Sequence, residues 1–88
     1  MNIDSAVIDR MKRAGWGHRR NYFYKRLREK TLVIELLSNT VFLEIFDQAE
    51  LELLEPKQKC KTFAEALVKS YQLETNYRNH LDLKNYSV

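Results

Sequence analysis

The residues with nucleophilic or metal-binding potential are few and far apart in this chain. Cys60 is the single cysteine and lies in the segment KQKCK, where neighbouring positive charge would lower the pKa of its thiol. Its base would have to be His18 or His80, and neither stands at a recognised spacing from a third, orienting group. No HxxxH or CxxC pair occurs, and the two glycines, at positions 15 and 17, are too few for a phosphate-binding loop. We therefore expect a protein that is not an enzyme, with no catalytic residues, no metal and no cofactor.

The composition is that of one small α+β domain spanning residues 1–88. Charged residues make up 31% and hydrophobic residues 44% of the chain, which excludes the compositions typical of disordered segments. The longest apolar stretch is interrupted at Glu35, so no membrane span is expected, and the N-terminal MNIDSAVIDR lacks the apolar run of a signal peptide. A lone cysteine cannot form an internal disulfide, which favours a reducing, cytoplasmic location.

Charge is distributed unevenly along the chain. Residues 1–30 hold nine bases and three acids, residues 31–56 hold six acids and no base, and residues 57–88 hold six bases and three acids. Either neighbouring elements neutralise one another in the folded chain, or the surface is bipolar and its basic side faces an acidic partner. The pattern leaves both alternatives open.

A first helix is expected over residues 4–14, where apolar side chains recur at helical spacing. Gly15 suits the left-handed position that ends a helix, and Trp16 can then pack back on Met11. This arrangement makes the tryptophan a structural lid of the helix end and not a platform for a ligand.

A second helix is expected to begin after Thr62, whose spacing from Glu65 is that of a capping box. The last residues of the chain, 83–88, are expected to fray. The side chains at helical spacing on the predicted inner face of this helix are Phe63, Leu67, Tyr71, Arg78 and Leu81, with Ala64 and Val68 broadening that face.

Between the helices, residues 21–46 alternate between apolar and polar side chains, which predicts β-strands. Two-residue turns at Ser38-Asn39 and at Glu29-Lys30 would put all the apolar side chains of one parity on the same side of a sheet. The first hairpin then pairs Phe23 with Leu36. The buried face would consist of Phe23, Leu27, Leu32, Ile34, Leu36, Val41, Leu43 and Ile45.

The segment after these strands, ELELLE at 50–55, is open to two interpretations. It is either a short fourth strand that buries Leu51 and Leu53, or an irregular link that ends at Pro56. The predicted fold is α+β, with an antiparallel meander of three strands, or four if this segment is one. The sheet is flanked by an N-terminal and a C-terminal helix in the order α-β-β-β-(β)-α.

The other side of the predicted sheet is too apolar to be plain solvated surface. Aromatic side chains stand there beside one arginine and a few acids, which is the composition of the centre of a protein interface. If both helices pack on the Leu/Ile/Val side, this second side is exposed; if one helix covers each side, its aromatic residues are core. Exposure predicts a small regulator or inhibitor that binds another protein, or itself as a homodimer. Its binding residues would be Tyr22, Tyr24, Arg26, Leu37, Phe42 and Phe46.

The alternative function is binding of duplex RNA or DNA by a basic surface. Bases flank the aromatic residues, and a lysine ladder leads into the second helix. Stacking on aromatic side chains beside phosphate-binding bases is a real mode of single-strand binding. Two acids on the second side, Glu35 and Glu44, would lie under the phosphates and weaken the attraction. The residues predicted for this function are Arg19, Arg20, Arg28, Lys57, Lys59 and Lys61.

Two families of RNA-related proteins resemble parts of the chain. The order α-β-β-β-α, with lysines before the last helix, resembles a double-stranded RNA-binding domain over about residues 4–75. That resemblance implies that Lys57, Lys59 and Lys61 meet phosphates. The segment MKRAGWGHRR resembles the start of HicA-type toxins, which are small RNases, and implies a catalytic role for His18. The alternating lysines, the partial helix match in FAEAL and the missing Gly-Ser-His context depart from both, so the chain is assigned to neither family.

Overall fold

The first helix, α1, spans Ser5–Arg13 in the computed structural model, which describes residues 3–49 and 51–86 and side chains as far as Tyr77. Gly15 follows with a φ of 99°. Its N–H donates to the Lys12 oxygen at 3.1 Å, and the Trp16 N–H donates to the Met11 oxygen at 3.0 Å. These are the two hydrogen bonds of a Schellman motif, and they bury Trp16 in one cluster with Met11.

A five-stranded antiparallel sheet follows α1, with its strands lying in the order in which they occur in the chain. The α+β class is confirmed, but the sheet exceeds the three or four strands predicted. The edge strands, Gly-His-Arg and Gln-Lys-Cys, lack the apolar alternation that marks a strand. The strands are β1 (Gly17–Arg19), β2 (Tyr22–Arg26), β3 (Lys30–Leu36), β4 (Val41–Asp47) and β5 (Gln58–Cys60).

The hairpin of β3 and β4 has the predicted register. Leu36 pairs with Val41, and the Leu37 N–H donates to the Thr40 oxygen at 2.8 Å across the turn at Ser38-Asn39. Neither Ser38 nor Asn39 has a positive φ, so the two-residue length of the loop, and not a left-handed asparagine, accompanies the pairing of the longest two strands.

The hairpin of β2 and β3 is shifted from its predicted register. Its turn lies at Arg28-Glu29, since the Leu27 N–H donates to the Lys30 oxygen at 2.8 Å. Phe23 therefore pairs with Ile34 and not with Leu36. Moving a turn by one residue shifts the pairing by two positions, and the side-chain period of a strand is two, so the buried side stays the same.

Both helices pack on the same side of the sheet, which we call the buried face. Met11 of α1 and Ala66 and Leu73 of α2 (Phe63–Tyr86) join the strand residues in one apolar cluster. No helix within the described residues covers the opposite side. The strand residues of the buried face are those predicted: Phe23, Leu32, Ile34, Leu36, Val41, Leu43 and Ile45 are buried and Leu27 is partly buried.

The segment after β4 is an irregular link and not a fourth strand. One isolated bridge joins Leu53 to Phe46, and Leu51 and Leu53 are 78% and 44% exposed, so of the two alternatives the irregular link is observed and the strand that buries both leucines is not. Position 50 lies outside the described residues. β5 pairs with the start of β4, at Val41–Leu43, and the link touches the end of β4 through the single bridge at Phe46.

The N-terminus of α2 is capped by side chains in nearly the predicted way. The Thr62 hydroxyl oxygen accepts from the Glu65 N–H at 3.1 Å, and the Glu65 carboxylate accepts from the Lys61 N–H at 2.8 Å. This backbone hydrogen bond, helped by the Lys69 side chain, holds the pKa of Glu65 below its ordinary value. In a standard capping box the second bond comes from the Thr62 N–H. Here its donor is the N–H of Lys61, one residue earlier.

The face that α2 turns to the sheet differs from the predicted one. Ala66 and Ser70 are fully buried, whereas Val68 and Tyr71 are 57% and 49% exposed. Small side chains at the contact let the helix lie close to the strands, so the contact is centred one position away from the most apolar stripe. Of the other predicted residues, Phe63 and Leu67 are partly buried against the core and Ala64 is exposed, while the side chains of Arg78 and Leu81 lie outside the described residues.

The far part of α2 is tied to the irregular link. The Tyr77 hydroxyl donates to a Glu55 carboxylate oxygen at 2.7 Å, and burial, with this bond, raises the pKa of Tyr77 to about 12. The helix continues to Tyr86, through part of the segment 83–88 that was expected to fray. Residues 87 and 88 lie outside the described chain.

Candidate interaction face

The side of the sheet that faces away from both helices carries most of the residues predicted to bind a partner, and we call it the open face. Paired residues of neighbouring strands point to the same side, so the strand register defines three rows of side chains across it. The first row is Arg19, Tyr22, Glu35, Phe42 and Lys59; the middle row is Gly17, Tyr24, Val33 and Glu44; the third row is Arg26, Thr31, Phe46 and Leu53.

The aromatic pair of β2 is held in place by the edge strand. Any Cβ on residue 17 would overlap the ring of Tyr24, so this ring lies directly against the Gly17 backbone. The Tyr22 ring lies beside it, with 6.2 Å between centroids and an angle of 51° between planes. A glycine is needed at position 17 for this packing, and the two half-buried rings form a firm apolar surface on this part of the open face.

On the β4 side, a lysine covers an aromatic ring and neutralises an acid. The Lys57 ammonium lies 4.7 Å from the Phe42 ring centroid and 3.1 Å from a Glu44 carboxylate oxygen. The Glu44 side chain is only 11% exposed, so this pair is more than a fully solvated contact. The charge of Glu44 is therefore compensated within the chain, and the ammonium lies over one face of the Phe42 ring.

At the third row the open face leads into a groove of about 440 Å³. Leu51 stands at its lip with a φ of 58°, which is uncommon for a residue other than glycine, and its N–H donates to the Asp47 oxygen at 2.9 Å. The walls of the groove combine the apolar side chains of Phe46 and Leu51 with charged and polar groups. Its lining residues are Arg26, Thr31, Phe46, Asp47, Gln48 and Leu51.

The structure brings five of the six predicted partner-binding residues together. Leu37 is the exception, because it stands at the turn beyond β3, past the end of the first row. The contribution of Lys57 was not predicted, because the sequence indicates only a lysine-rich loop before α2. Glu44, which alternates with Phe42 and Phe46 along β4, is the one signal that could have suggested a covering base. The five residues on the open face are Tyr22, Tyr24, Arg26, Phe42 and Phe46.

The bases predicted to bind nucleic acid are not gathered into one cluster. Arg19 and Arg20 lie at the β1–β2 turn, and Arg28 lies at the opposite end of β2. Lys59 and Lys61 are on or beside β5, four strand spacings or about 19 Å from β1. These five bases are exposed and carry no ion pair among the described residues. They surround the open face and do not form a phosphate-binding strip.

The sites considered for nucleophilic chemistry are separated by the fold. Cys60 is buried on β5, and burial raises the pKa of its thiol, contrary to the lowering predicted from the lysines around it. His18 is on β1 at the other edge, with its ring 4.8 Å from that of Phe23, so the two cannot form a Cys–His pair. The His80 side chain lies outside the described part of the chain.

Neither a metal-binding cluster nor a membrane-spanning helix is found in the part of the chain that the structure describes. No group of three or more His, Cys, Asp or Glu side chains is arranged to hold a metal ion there. Nor does either described helix have the length and apolar character needed to cross a membrane.

Comparison with known proteins adds no family to this description. No protein-family model, no curated protein and no solved structure matches the chain. The five-stranded sheet also departs from the α-β-β-β-α order on which the resemblance to double-stranded RNA-binding domains rests. What the protein does must therefore be inferred from the geometry of the open face.

Proposed function

We propose that this protein is a small non-enzymatic regulator or inhibitor that binds another protein molecule through the open face. The observation that carries the proposal is the packing of α1 and α2 on the same side of the sheet. In the described chain, no helix therefore covers the aromatic side chains of β2 and β4 on the open face. A cytoplasmic location goes with this proposal, since Cys60 is a buried thiol with no disulfide.

The open face has the layout of a protein-binding surface. Tyrosines of β2 and phenylalanines of β4 lie on either side of its central strand, and such residues contribute most of the binding free energy when a partner excludes water from them. Exposed bases stand at its margin, where they affect association rate and specificity more than affinity. The groove beside Arg26 and Phe46 offers a pocket in which an anchoring side chain can be buried.

Nucleic acid is supported less well by the same surface. Base stacking requires an accessible ring face, and the Lys57 ammonium already lies over one face of the Phe42 ring. Glu35 stands between Tyr22 and Phe42 in the first row, where a bound strand would bring phosphates towards its carboxylate. The exposed bases lie on both edges of the sheet, so no continuous positive track follows one backbone.

Replacing Tyr24 and Phe42 together with Ser is expected to weaken binding to a protein partner by roughly a hundredfold or more. Both side chains lie on the open face, so the loss should come from the interface and not from the fold. The measurement is affinity capture from a lysate on the immobilised chain, followed by titration of the purified captured protein in calorimetry.

The matched control removes two exposed apolar side chains elsewhere. Val68 and Tyr71 are exposed on α2, and replacing both with Ser should leave partner affinity unchanged. Circular dichroism and the melting temperature should remain close to those of the parent chain in both double variants. A collapse of the fold in the Tyr24/Phe42 variant, or equal loss of binding in both, would show that the open face is not the binding site.

The nucleic-acid alternative predicts a steep dependence on salt. If Lys57, Lys59 and Lys61 bind phosphates, the log–log slope of affinity against salt is about −0.9 per contacted phosphate. Changing all three to Gln should then flatten that slope by roughly two to three without altering sequence preference. Because Lys57 is engaged by Glu44, we expect a fluorescence anisotropy titration to show no duplex binding even at about 50 mM salt.

A further inference from the structure

We infer that the open face docks on the open face of a second copy of this chain, with a two-fold axis that crosses the strands along the middle row. This inference rests on the proposed function and names the partner. It follows from how the charges and rings of the three rows match one another when the face is turned over on itself.

The edges of the sheet are poor sites for self-association. β1 and β5 have three residues each, and each carries a basic side chain, Arg19 and Lys59. Short, charged edge strands resist pairing with a further strand. Association of two copies is therefore directed to the open face, where two sheets can stack about 10 Å apart with their strands nearly aligned.

Turning the face about an axis along the middle row places the first row of one copy over the third row of the other. On β4, Phe42 then meets Phe46 of the second copy, and the symmetry repeats this contact. On β2, Arg26 of the second copy comes over Tyr22, one strand spacing of about 4.8 Å from Glu35. A guanidinium reaches that far, so each copy supplies a base to the acid of the other.

Glu35 is the reason that such a base is needed. It is half-buried between the two aromatic residues of the first row, and no ion pair to it exists among the described residues. Covering a carboxylate without a counter-charge costs several kcal/mol, so an uncompensated Glu35 would oppose any docking. Arg26 likewise has no ion pair within the described chain, and the two-fold arrangement pairs the two groups twice.

The middle row meets itself in this arrangement without uncompensated charge. Val33 lies against Val33 and Tyr24 against Tyr24 of the second copy, so apolar groups face apolar groups. Glu44 approaches its counterpart, but each is already neutralised by its own Lys57 at 3.1 Å. The dimer would therefore depend on Lys57 even though that lysine makes no cross-copy pair.

The other two-fold arrangement is unfavourable on charge. An axis running along β3 would exchange β2 with β4 and β1 with β5. It would place Glu35 against Glu35, and Arg19 against Lys59, of the second copy. Like charges set opposite one another across an interface cost affinity, so the axis across the strands is the one that the face supports.

A charge swap tests the assignment directly on the purified chain. Sedimentation velocity over about 10 μM to about 1 mM should show a reversible dimer in the parent protein. Glu35→Arg and Arg26→Glu should each weaken dimerisation at least tenfold, because each sets like charges together. Combining the two swaps should restore the dimer constant to within about threefold of the parent value, since the pair is re-formed with reversed signs. Unchanged circular dichroism in all three variants is the control for folding.

The outcomes separate this inference from the proposed function. The chain could stay monomeric at the highest concentration and still lose a captured partner when Tyr24 and Phe42 are replaced. That result would overturn the dimer inference and leave the proposed function standing. A dimer that ignores both swaps, or one that the double swap fails to restore, overturns the pairing of Glu35 with Arg26. If replacing Tyr24 and Phe42 weakens neither self-association nor partner binding, both proposals are wrong.

Discussion

Replacing Phe23 with Ala is expected to lower the free energy of unfolding by about 3–5 kcal/mol. Phe23 is fully buried on β2, and its ring packs 4.8 Å from the His18 ring and 5.6 Å from the Phe63 ring. It therefore links the edge strand β1 to the first turn of α2, and its loss leaves a cavity that neither element can close. Since small domains have only about 5–15 kcal/mol of stability in total, the variant should be close to unfolded.

Phe42 supplies the matched control, because it is the same residue type on the opposite side of the same sheet. Phe42→Ala should cost no more than about 1 kcal/mol, since its ring contacts the Lys57 side chain and solvent and not the core. Urea denaturation followed by far-ultraviolet circular dichroism measures both variants. Equal destabilisation by the two substitutions would mean that an element outside the described residues covers the open face.

The buried face could be predicted from the sequence because it depends only on which alternate residues of each strand are apolar. Alternating apolar residues from Phe23 to Ile45 mark one side of the sheet, and no turn shift of one residue changes that side. The exact pairing of β2 with β3 depends on where the turn forms. The segment RLREK contains neither glycine nor asparagine, so the sequence carries no strong signal that favours Arg28-Glu29 over Glu29-Lys30.

The edge strands and the side chosen by each helix could not be predicted in this way. β1 and β5 are held by backbone hydrogen bonds to β2 and β4, and their side chains carry no period that differs from a loop. Parity shows that the sheet has two apolar sides but not which helix covers which side. Small residues at the α2 contact, Ala66 and Ser70, contributed to the choice, and a search for the most apolar helical stripe overlooks them.

The residues of the candidate site were predictable as a set, and their interactions were not. Tyrosines and phenylalanines of the second parity are visible in the sequence, whereas the contact of Lys57 with Phe42 and Glu44 requires the fold. The same holds for the cysteine: adjacent lysines predict a lowered pKa, but pairing with Val41 buries the thiol and raises it. The local sequence shows the lysines beside Cys60, but the burial of the thiol determines the direction in which its pKa moves.

Removing the carboxylate of Glu74 is expected to destabilise the protein by about 2–3 kcal/mol. Glu74 on α2 accepts a hydrogen bond from the Lys25 ammonium at 3.2 Å, across 49 positions of the chain. Lys25 is on the buried face opposite Leu32, with its ammonium 5.9 Å from the Trp16 ring centroid, and the two side chains are only 19% and 12% exposed. Breaking one partner of such a pair leaves a charge in a poorly hydrated place, and residual exposure keeps the cost below that of a fully buried pair.

A double-mutant cycle separates this charge effect from lost packing. Glu74→Ala alone should carry the full cost in urea denaturation, whereas Glu74→Ala combined with Lys25→Met should recover roughly half of it, because no uncompensated ammonium then remains. Lys69→Met is the matched control, since its ion pair with Glu65 at 3.2 Å lies on the exposed side of α2 and should change stability by less than about 0.5 kcal/mol. Strict additivity of the Lys25 and Glu74 substitutions would contradict the coupling. Coupling of the expected sign would show that the ion pair of Lys25 with Glu74 joins α2 to β2 and helps to keep α2 on the buried face.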